Sequence, residues 1–302
     1  MSVKTVKKHR GFFGAYMDKK DGAIRGYDMH SPKVKVFCIL IMLICIAFVI
    51  ISVFPIVWVF LASFKDIREF TRNVTIIPDT FDFSKIKDTW DALKFQKYYL
   101  NSLIAVAGSV VCAVIFNGLL AYGFAVLKPR GYKVAFGLVM WSLLIPSTTS
   151  IVAVFRNINM VGLFQSFVPL WLAFGANAFY VVLFKEFFEE IPGELIEAAK
   201  LDGAGALRIF MNIMLPLSKP IIMVVVIFAL TASWSDFLLP YLVLNGSGKE
   251  TVMVKLFAFK DTPTDAVSVL RAAMFAIIPP TILFAFFQKQ ITDGAAAGAV
   301  KG

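Results

Sequence analysis

The segment EEIPGELIEAAKLDGAGALRIFMNIMLPLSKP, residues 189–220, is a polar, patterned stretch set between two long apolar runs. Its chemistry can be read directly. Pro192 suits the first turn of a helix, where a missing N–H costs nothing. Glu194 and Glu197 lie near that N-terminus and complement its dipole. Ala198 and Ala199 are strong helix formers of little bulk, so another surface can approach closely. Asp202-Gly203 is a stop signal, with glycine free to take positive φ past the helix end. A second helix is expected beyond it, with Leu207, Phe210, Ile213, Met214 and Leu217 forming an amphipathic stripe. Pro216 marks entry to the next apolar run. The segment is therefore expected to be a helix–turn–helix bracket with one apolar wall and one small, acidic wall. The plain alternative is a surface hairpin that merely closes a helical bundle.

Composition sets the surroundings of that bracket. Apolar residues make up 59% of the 302 residues and charged residues 17%, and the mean hydropathy is +0.77. A soluble domain is nearer ~45–50% apolar and ~25% charged. The surplus falls in runs at about 34–62, 100–127, 134–155, 167–184, 220–244 and 267–287. Each reaches or approaches the ~20 residues that cross a bilayer core as helix. The runs are continuously apolar without period-two alternation, which favours helices over a barrel. The expected architecture is an all-α integral membrane protein of about six transmembrane helices. Its parts are an N-terminal tail at 1–33, a membrane domain at 34–290 and a C-terminal tail at 291–302.

Charge assigns the sides. The net charge of +10 is concentrated in the tail, with Lys4, Lys7, Lys8, Arg10, Lys19, Lys20, Arg25, Lys33 and Lys35 against Asp18, Asp21 and Asp28. The short loop at 128–133 carries Lys128, Arg130 and Lys133 and no acid. Both segments are expected to be cytoplasmic. The loops at 63–99 and 245–266 then fall outside, and the 189–218 segment and the C-terminus fall inside. The tail is expected to rest on anionic lipid, and nucleic acid is not needed to explain the charge. The first apolar run is too long for a cleavable signal and reads as a retained anchor.

Other chemistries are disfavoured. His9 and His30 are the only histidines and both lie in the tail, so no histidine-based catalytic or metal site is expected in the membrane. Cys38, Cys45 and Cys112 sit within apolar runs and read as small hydrophobes. Gly246-Ser247-Gly248-Lys249 looks like a phosphate loop, but it lacks the first glycine, and Glu250 stands where serine or threonine belongs. No catalytic residue, metal or nucleotide site is expected on this chain. Within the spans, Asp236 is the notable ionisable residue, since a mid-membrane carboxylate should face a cavity or a partner. Asn117, Asn177, Trp171 and Trp234 join it as candidates for lining a pathway, although asparagines in bundles often bridge helices.

The 189–220 segment resembles the EAA loop of the membrane subunits of bacterial ABC importers: Glu197-Ala198-Ala199, three residues, Gly203, nine residues, then Ile213-Met214-Leu215-Pro216. The likeness extends over nearly all of the chain from about residue 34. It includes Phe54-Pro55-Ile56-Val57-Trp58, Asn101-Ser102-Leu103, Ala121-Tyr122-Gly123-Phe124-Ala125, Trp234-Ser235-Asp236-Phe237 with Pro240, and the end from Gly294 to Gly302. In the usual pattern Leu-Thr follows the first glycine of that end, where this chain has Ala295-Ala296. The chain is most similar to the carbohydrate-uptake branch, and within it to the second permease of maltose-type transporters. The resemblance implies a heterodimer with a homologous permease, two cytoplasmic ATPase subunits that carry ATP and Mg, an extracellular solute-binding protein, and a sugar substrate. It implies ATPase coupling through Glu197, Ala198, Ala199, Asp202, Gly203, Leu215 and Pro216. It also implies a binding-protein contact loop around Thr251, Val254, Phe257 and Phe259. An ion-coupled secondary transporter, or a permease of the same superfamily for a non-sugar solute, is the alternative.

Overall fold

The computed structural model describes residues 32–72, 75–260 and 265–299. The basic tail up to residue 31 and the terminal Val300, Lys301 and Gly302 lie outside the described residues. The elements are α1 (Pro32–Ala62), α2 (Ile67–Arg72), α3 (Phe83–Ala92), α4 (Phe95–Tyr122), α5 (Tyr132–Ser142), α6 (Ile151–Met160), α7 (Val168–Gly175), α8 (Ala178–Glu189), α9 (Gly193–Leu201), α10 (Ala206–Ile209), α11 (Leu215–Leu217), α12 (Lys219–Ser235), α13 (Leu238–Leu244), α14 (Val252–Lys260) and α15 (Ala266–Ala299). Single π-helical turns continue α4 over Gly123–Leu127 and join α10 to α11 over Phe210–Met214. No strand occurs among the described residues. α1 is apolar on every side and carries Pro55 within it, as expected of a helix solvated by lipid. Its part up to Trp58 forms a unit of its own, and the packing described below belongs to residues from Val59 onward.

Helix α4 is the central post, packed by α7, α8 and α12, while α15 packs on α12 and α14. Small residues permit the close approaches. A Cβ placed on Gly108 would lie 2.2 Å from the Trp171 indole nitrogen, and one on Gly175 would lie 2.7 Å from the Phe116 ring. Helices in lipid associate by such tight packing, because apolar burial alone does not favour protein over lipid tails. Gly108→Val is therefore expected to destabilise the α4–α7 contact by about 1–3 kcal/mol, read as a lower unfolding midpoint in detergent. Gly137→Ala serves as the control, since its added Cβ meets nothing within 4 Å. Equal midpoints for the two variants would contradict this account.

Buried polar bonds tie the ends of the bundle. Arg271 on α15 donates from Nε to the Ser63 carbonyl at 2.8 Å and from Nη2 to the Lys65 carbonyl at 2.9 Å. Those carbonyls follow the C-terminus of α1, where a cation complements the helix dipole. Asn101 donates to the Glu250 carbonyl at 3.0 Å, and Ser102 accepts from the Val252 N–H at 2.9 Å, which fixes the start of α14 against α4.

The long apolar runs are less continuous than composition suggests. Among the described residues, Val34–Ala62, Phe95–Leu127 and Ala266–Gln288 are long and apolar enough to cross a membrane as single helices. Two further pairs meet the same test only if each is taken as one bent span: Val168–Gly175 with Ala178–Glu189, bent by 44°, and Ala206–Leu217 with Lys219–Ser235, bent by 84°. The expected run at 134–155 is instead α5 and α6 with a turn between them. Pro146 is extended there, at φ −57° and ψ 128°, and the Thr149 hydroxyl bonds its carbonyl at 2.7 Å. Proline biases its predecessor away from helix, and a local hydroxyl bond competes with the helical ladder. The expected run at 220–244 likewise ends at Ser235. Asp236 is extended, at φ −66° and ψ 128°, and α13 starts afresh beyond it, with Phe237 at its cap position. At the far end, α15 passes through Pro279 and Pro280 and continues helically to Ala299, so most of the stretch taken as a tail continues the last helix.

Candidate functional site

The polar bracket folds as two short helices with a glycine turn. α9 begins after Pro192, which stands at the cap position at φ −55° and ψ 126°, one residue before the first turn where sequence placed it. Its end is a Schellman motif. The Gly203 N–H bonds the Lys200 carbonyl at 3.0 Å, and the Ala204 N–H bonds the Ala199 carbonyl at 2.9 Å. Gly203 has φ +79°, the left-handed conformation that residues with a Cβ adopt at a penalty. The two walls read from sequence are divided differently, with Ala199 on the inner side rather than on the open small wall. Ile196 and Ala199 turn inward to the cluster formed by Phe184, Phe188, Phe210 and Met214. Glu197, Ala198, Asp202 and Pro216 are exposed, and Leu215 is half-buried. Glu197 enters no ion pair among the described residues.

The apolar stripe of the second helix departs from its helical count. Phe210 and Met214 are fully buried, but Leu207 and Leu217 are 65% and 47% exposed. The π turn over Phe210–Met214 adds a residue to that turn, which shifts the phase of the side chains on either side of it. The bracket also carries an unforeseen apolar surface. Leu201 is 89% exposed at the tip of the turn, next to Asp202, with Leu195, Leu207 and Met211 also exposed nearby in sequence. Behind α9 is a groove of about 410 Å³ whose walls include Glu197, Lys200, Glu189 and Lys128. Lys128 and Glu189 were not foreseen as neighbours of Glu197, because the end of α4 and the end of α8 are brought there only by tertiary packing.

The candidates within the apolar runs separate by environment. Asn117 is fully buried. Its side-chain amide donates to the Ala113 and Phe174 carbonyls, each at 2.8 Å, and its oxygen accepts from the Asn177 N–H at 2.9 Å. The Asn177 oxygen accepts from the Tyr180 N–H at 3.2 Å and so caps α8. The two asparagines form a clip at the bend between α7 and α8. Trp234 is also buried, and its indole N–H donates to the Ala276 carbonyl at 3.1 Å. Asp236 and Asn177 line a cavity of about 520 Å³ together with Thr148, Ser150 and Phe174. Thr148 and Ser150 come from the broken 134–155 run, and the sequence signal for them was the polar string Pro-Ser-Thr-Thr-Ser inside an apolar stretch. Among the residues expected to meet a binding protein, Thr251, Val254 and Phe259 are buried, while Phe257 is 41% exposed and packs on Phe237 and Tyr241. The loop is thus a packed helix whose outward side is narrower than the sequence suggested.

Residues 29–294 match the family described as the binding-protein-dependent transport system inner membrane component. The arabinooligosaccharides transport system permease protein AraQ of Bacillus subtilis (strain 168) is 28% identical, over 90% of this chain and 99% of that protein. The galactooligosaccharides transport system permease protein GanQ of the same organism is 31% identical, over 84% and 92%. The sn-glycerol-3-phosphate transport system permease protein UgpE of Rhizobium meliloti (strain 1021) is 28% identical, over 82% and 91%. The same fold occurs in a chain from the crystal structure of a bacterial ABC transporter involved in the import of the acidic polysaccharide alginate, with a TM-score of 0.74 at 24% identity, over 86% of this chain and 98% of that one. With the match running from before α1 far into α15, the chain belongs to the family of binding-protein-dependent transport system inner membrane components.

Proposed function

We propose that this chain is a permease subunit of an ATP-driven sugar importer and that α9 with its glycine turn is where it engages its ATPase. The observation that carries the reading is the surface at that turn: Glu197, Ala198, Asp202 and the 89%-exposed Leu201 presented on a Schellman-capped helix. A small acidic patch with one protruding apolar side chain suits a basic-rimmed cleft on a partner. The chain itself is non-catalytic. ATP and Mg belong to a pair of separate ATPase subunits, and a homologous permease completes the pathway. Closure of the ATPase pair on nucleotide draws the coupling helices together, and the permeases rock between inward- and outward-facing states. Nucleotide acts by stabilising one of those states over the other. An extracellular binding protein delivers the solute, with Phe257 on this chain as the reachable contact. Relatives named for arabinooligosaccharide and galactooligosaccharide transport support sugar as the solute. The glycerol-3-phosphate relative supports the second reading, a non-sugar solute.

The proposed topology has six crossings of the bacterial inner membrane, with the broken α5–α6 pair as the third and both termini in the cytoplasm. Single cysteines at Ser84 and Lys200, both exposed, are placed in a background lacking the three native cysteines. They are expected to react with an impermeant thiol reagent from opposite sides, and reaction from one side would refute the topology. The function itself is tested by reconstituting the assembled complex in vesicles with binding protein outside and ATP inside. Uptake of labelled oligosaccharides that requires both is expected. Uptake driven by an ion gradient without ATP would replace the importer reading by a secondary transporter.

A further inference from the structure

The cavity at the two breaks in the apolar runs has a chemical character that bears on the solute. It measures about 520 Å³, within the ~300–1,000 Å³ of small-molecule sites. Its polar walls are Thr148, Ser150, Asn177 and Asp236, and Phe174 supplies an aromatic surface. Asp236 is the one ionisable residue among the described lining residues. It stands directly before α13, whose cap position is Phe237. No cationic side chain joins it in the lining. Both flanking breaks come from residues with little reason to occur in an apolar run other than to open it: the Pro146 turn on one side and extended Asp236 on the other.

We infer that this cavity is a solute subsite on this chain that selects by charge, taking the hydroxyl groups of neutral saccharides and rejecting uronates and phosphates. Resting on the importer reading, it decides between that reading's two solute classes. Carboxylate, hydroxyl and amide groups beside an aromatic ring suit a sugar, whose hydroxyls donate to the carboxylate while a ring face packs on the aromatic surface. An anionic solute would meet the same carboxylate in a partly enclosed site of low dielectric, where like charges repel strongly.

The test measures the charge preference without knowing the solute. In the assembled complex, Thr148→Cys is made in a background without Cys38, Cys45 and Cys112. Its reaction rates with a cationic and an anionic methanethiosulfonate are compared, each normalised to a free thiol. The cationic reagent is expected to be favoured by on the order of tenfold, and Asp236→Asn should bring the ratio back near one. Asparagine matches aspartate in size and shape, so this variant should keep the fold. A ratio that Asp236→Asn leaves unchanged would overturn the inference. A second arm compares uptake of arabinotriose with uptake of trigalacturonate and glycerol 3-phosphate. Uptake of an acidic solute as fast as the neutral one would also overturn it. No ATP-dependent uptake of any of them would instead count against the importer reading, and the thiol ratio would still decide the charge preference.

Discussion

Gly203→Val and Glu197→Lys should each abolish sugar uptake while leaving the chain at its normal level in the membrane. Gly203 sits at φ +79° with nothing within 4 Å of an added Cβ, so the damage from valine is conformational and not a clash. A β-branched residue forced into the left-handed region loses about 1–2 kcal/mol or more. It would escape by opening the Schellman turn, whose two bonds are made by the Gly203 and Ala204 N–H groups. Opening the turn moves Leu201 and Asp202, the tip of the proposed ATPase contact. Glu197→Lys leaves the backbone intact and inverts the charge on the exposed wall. A basic cleft would then face a like charge, which costs several kcal/mol when the pair is poorly solvated. Neither change lies in a helix of membrane-spanning length taken alone, so insertion should survive. The measurement is recovery of the ATPase on purification of this chain, alongside uptake normalised to its membrane level. Normal recovery and normal uptake in both variants would reduce the bracket to a hairpin that closes the bundle. Gly203→Ala should fall between glycine and valine, because alanine meets the same φ penalty without branching.

The bracket was legible because its signals are local. A proline, a run of helix formers and an Asp-Gly stop fix a helix and its Schellman end within a dozen residues, and the positive φ at Gly203 was foreseen on those grounds. The helical class was equally plain, since long apolar runs leave a backbone in lipid little alternative to helix. What composition hides is where an apolar run breaks. Pro146 and Asp236 each sit inside stretches whose average hydropathy suits one span, yet both end helices, and averaging erases single residues. The phase of Leu207 was hidden for a related reason. A π turn has no strong composition of its own, so a count in steps of three and four carries through it unaware. Burial of Val254 and Phe259 was beyond reach because it depends on α14 folding back onto α15 and α4, a tertiary event. The same holds for Lys128 and Glu189 beside Glu197. Asn117 is the case where type was informative and role was open: an asparagine in an apolar helix must find partners, but the sequence does not say whether they are protein or solute.

Asn117→Leu is expected to destabilise the whole bundle rather than to alter solute preference. Leucine branches at the same atom as asparagine and has as many heavy atoms, so the change removes the hydrogen bonds and adds the bulk of two methyl groups at a fully buried site. It leaves the Phe174 carbonyl and the Asn177 N–H without the partners they hold at 2.8 and 2.9 Å. Both groups lie at the bend between α7 and α8, where the helical ladder is interrupted and no intrahelical substitute is at hand. A buried polar group left unpaired costs about 1–3 kcal/mol, and two such groups place the loss at roughly 2–6 kcal/mol. The Asn177 side chain would still cap α8, so α8 should form, but its 44° angle to α7 would no longer be fixed by α4. The expected result is a large fall in the thermal midpoint in detergent and a reduced membrane level. Material that does assemble should keep the cation preference at Thr148→Cys, because Asp236 is untouched. In Asn117→Asp the buried carboxyl has to be protonated to face the Ala113 and Phe174 carbonyls; it then keeps the acceptor for the Asn177 N–H and one donor, and the variant should lie between asparagine and leucine. A stable Asn117→Leu chain with altered thiol selectivity would assign Asn117 to the pathway, and the clip would then be incidental to the fold.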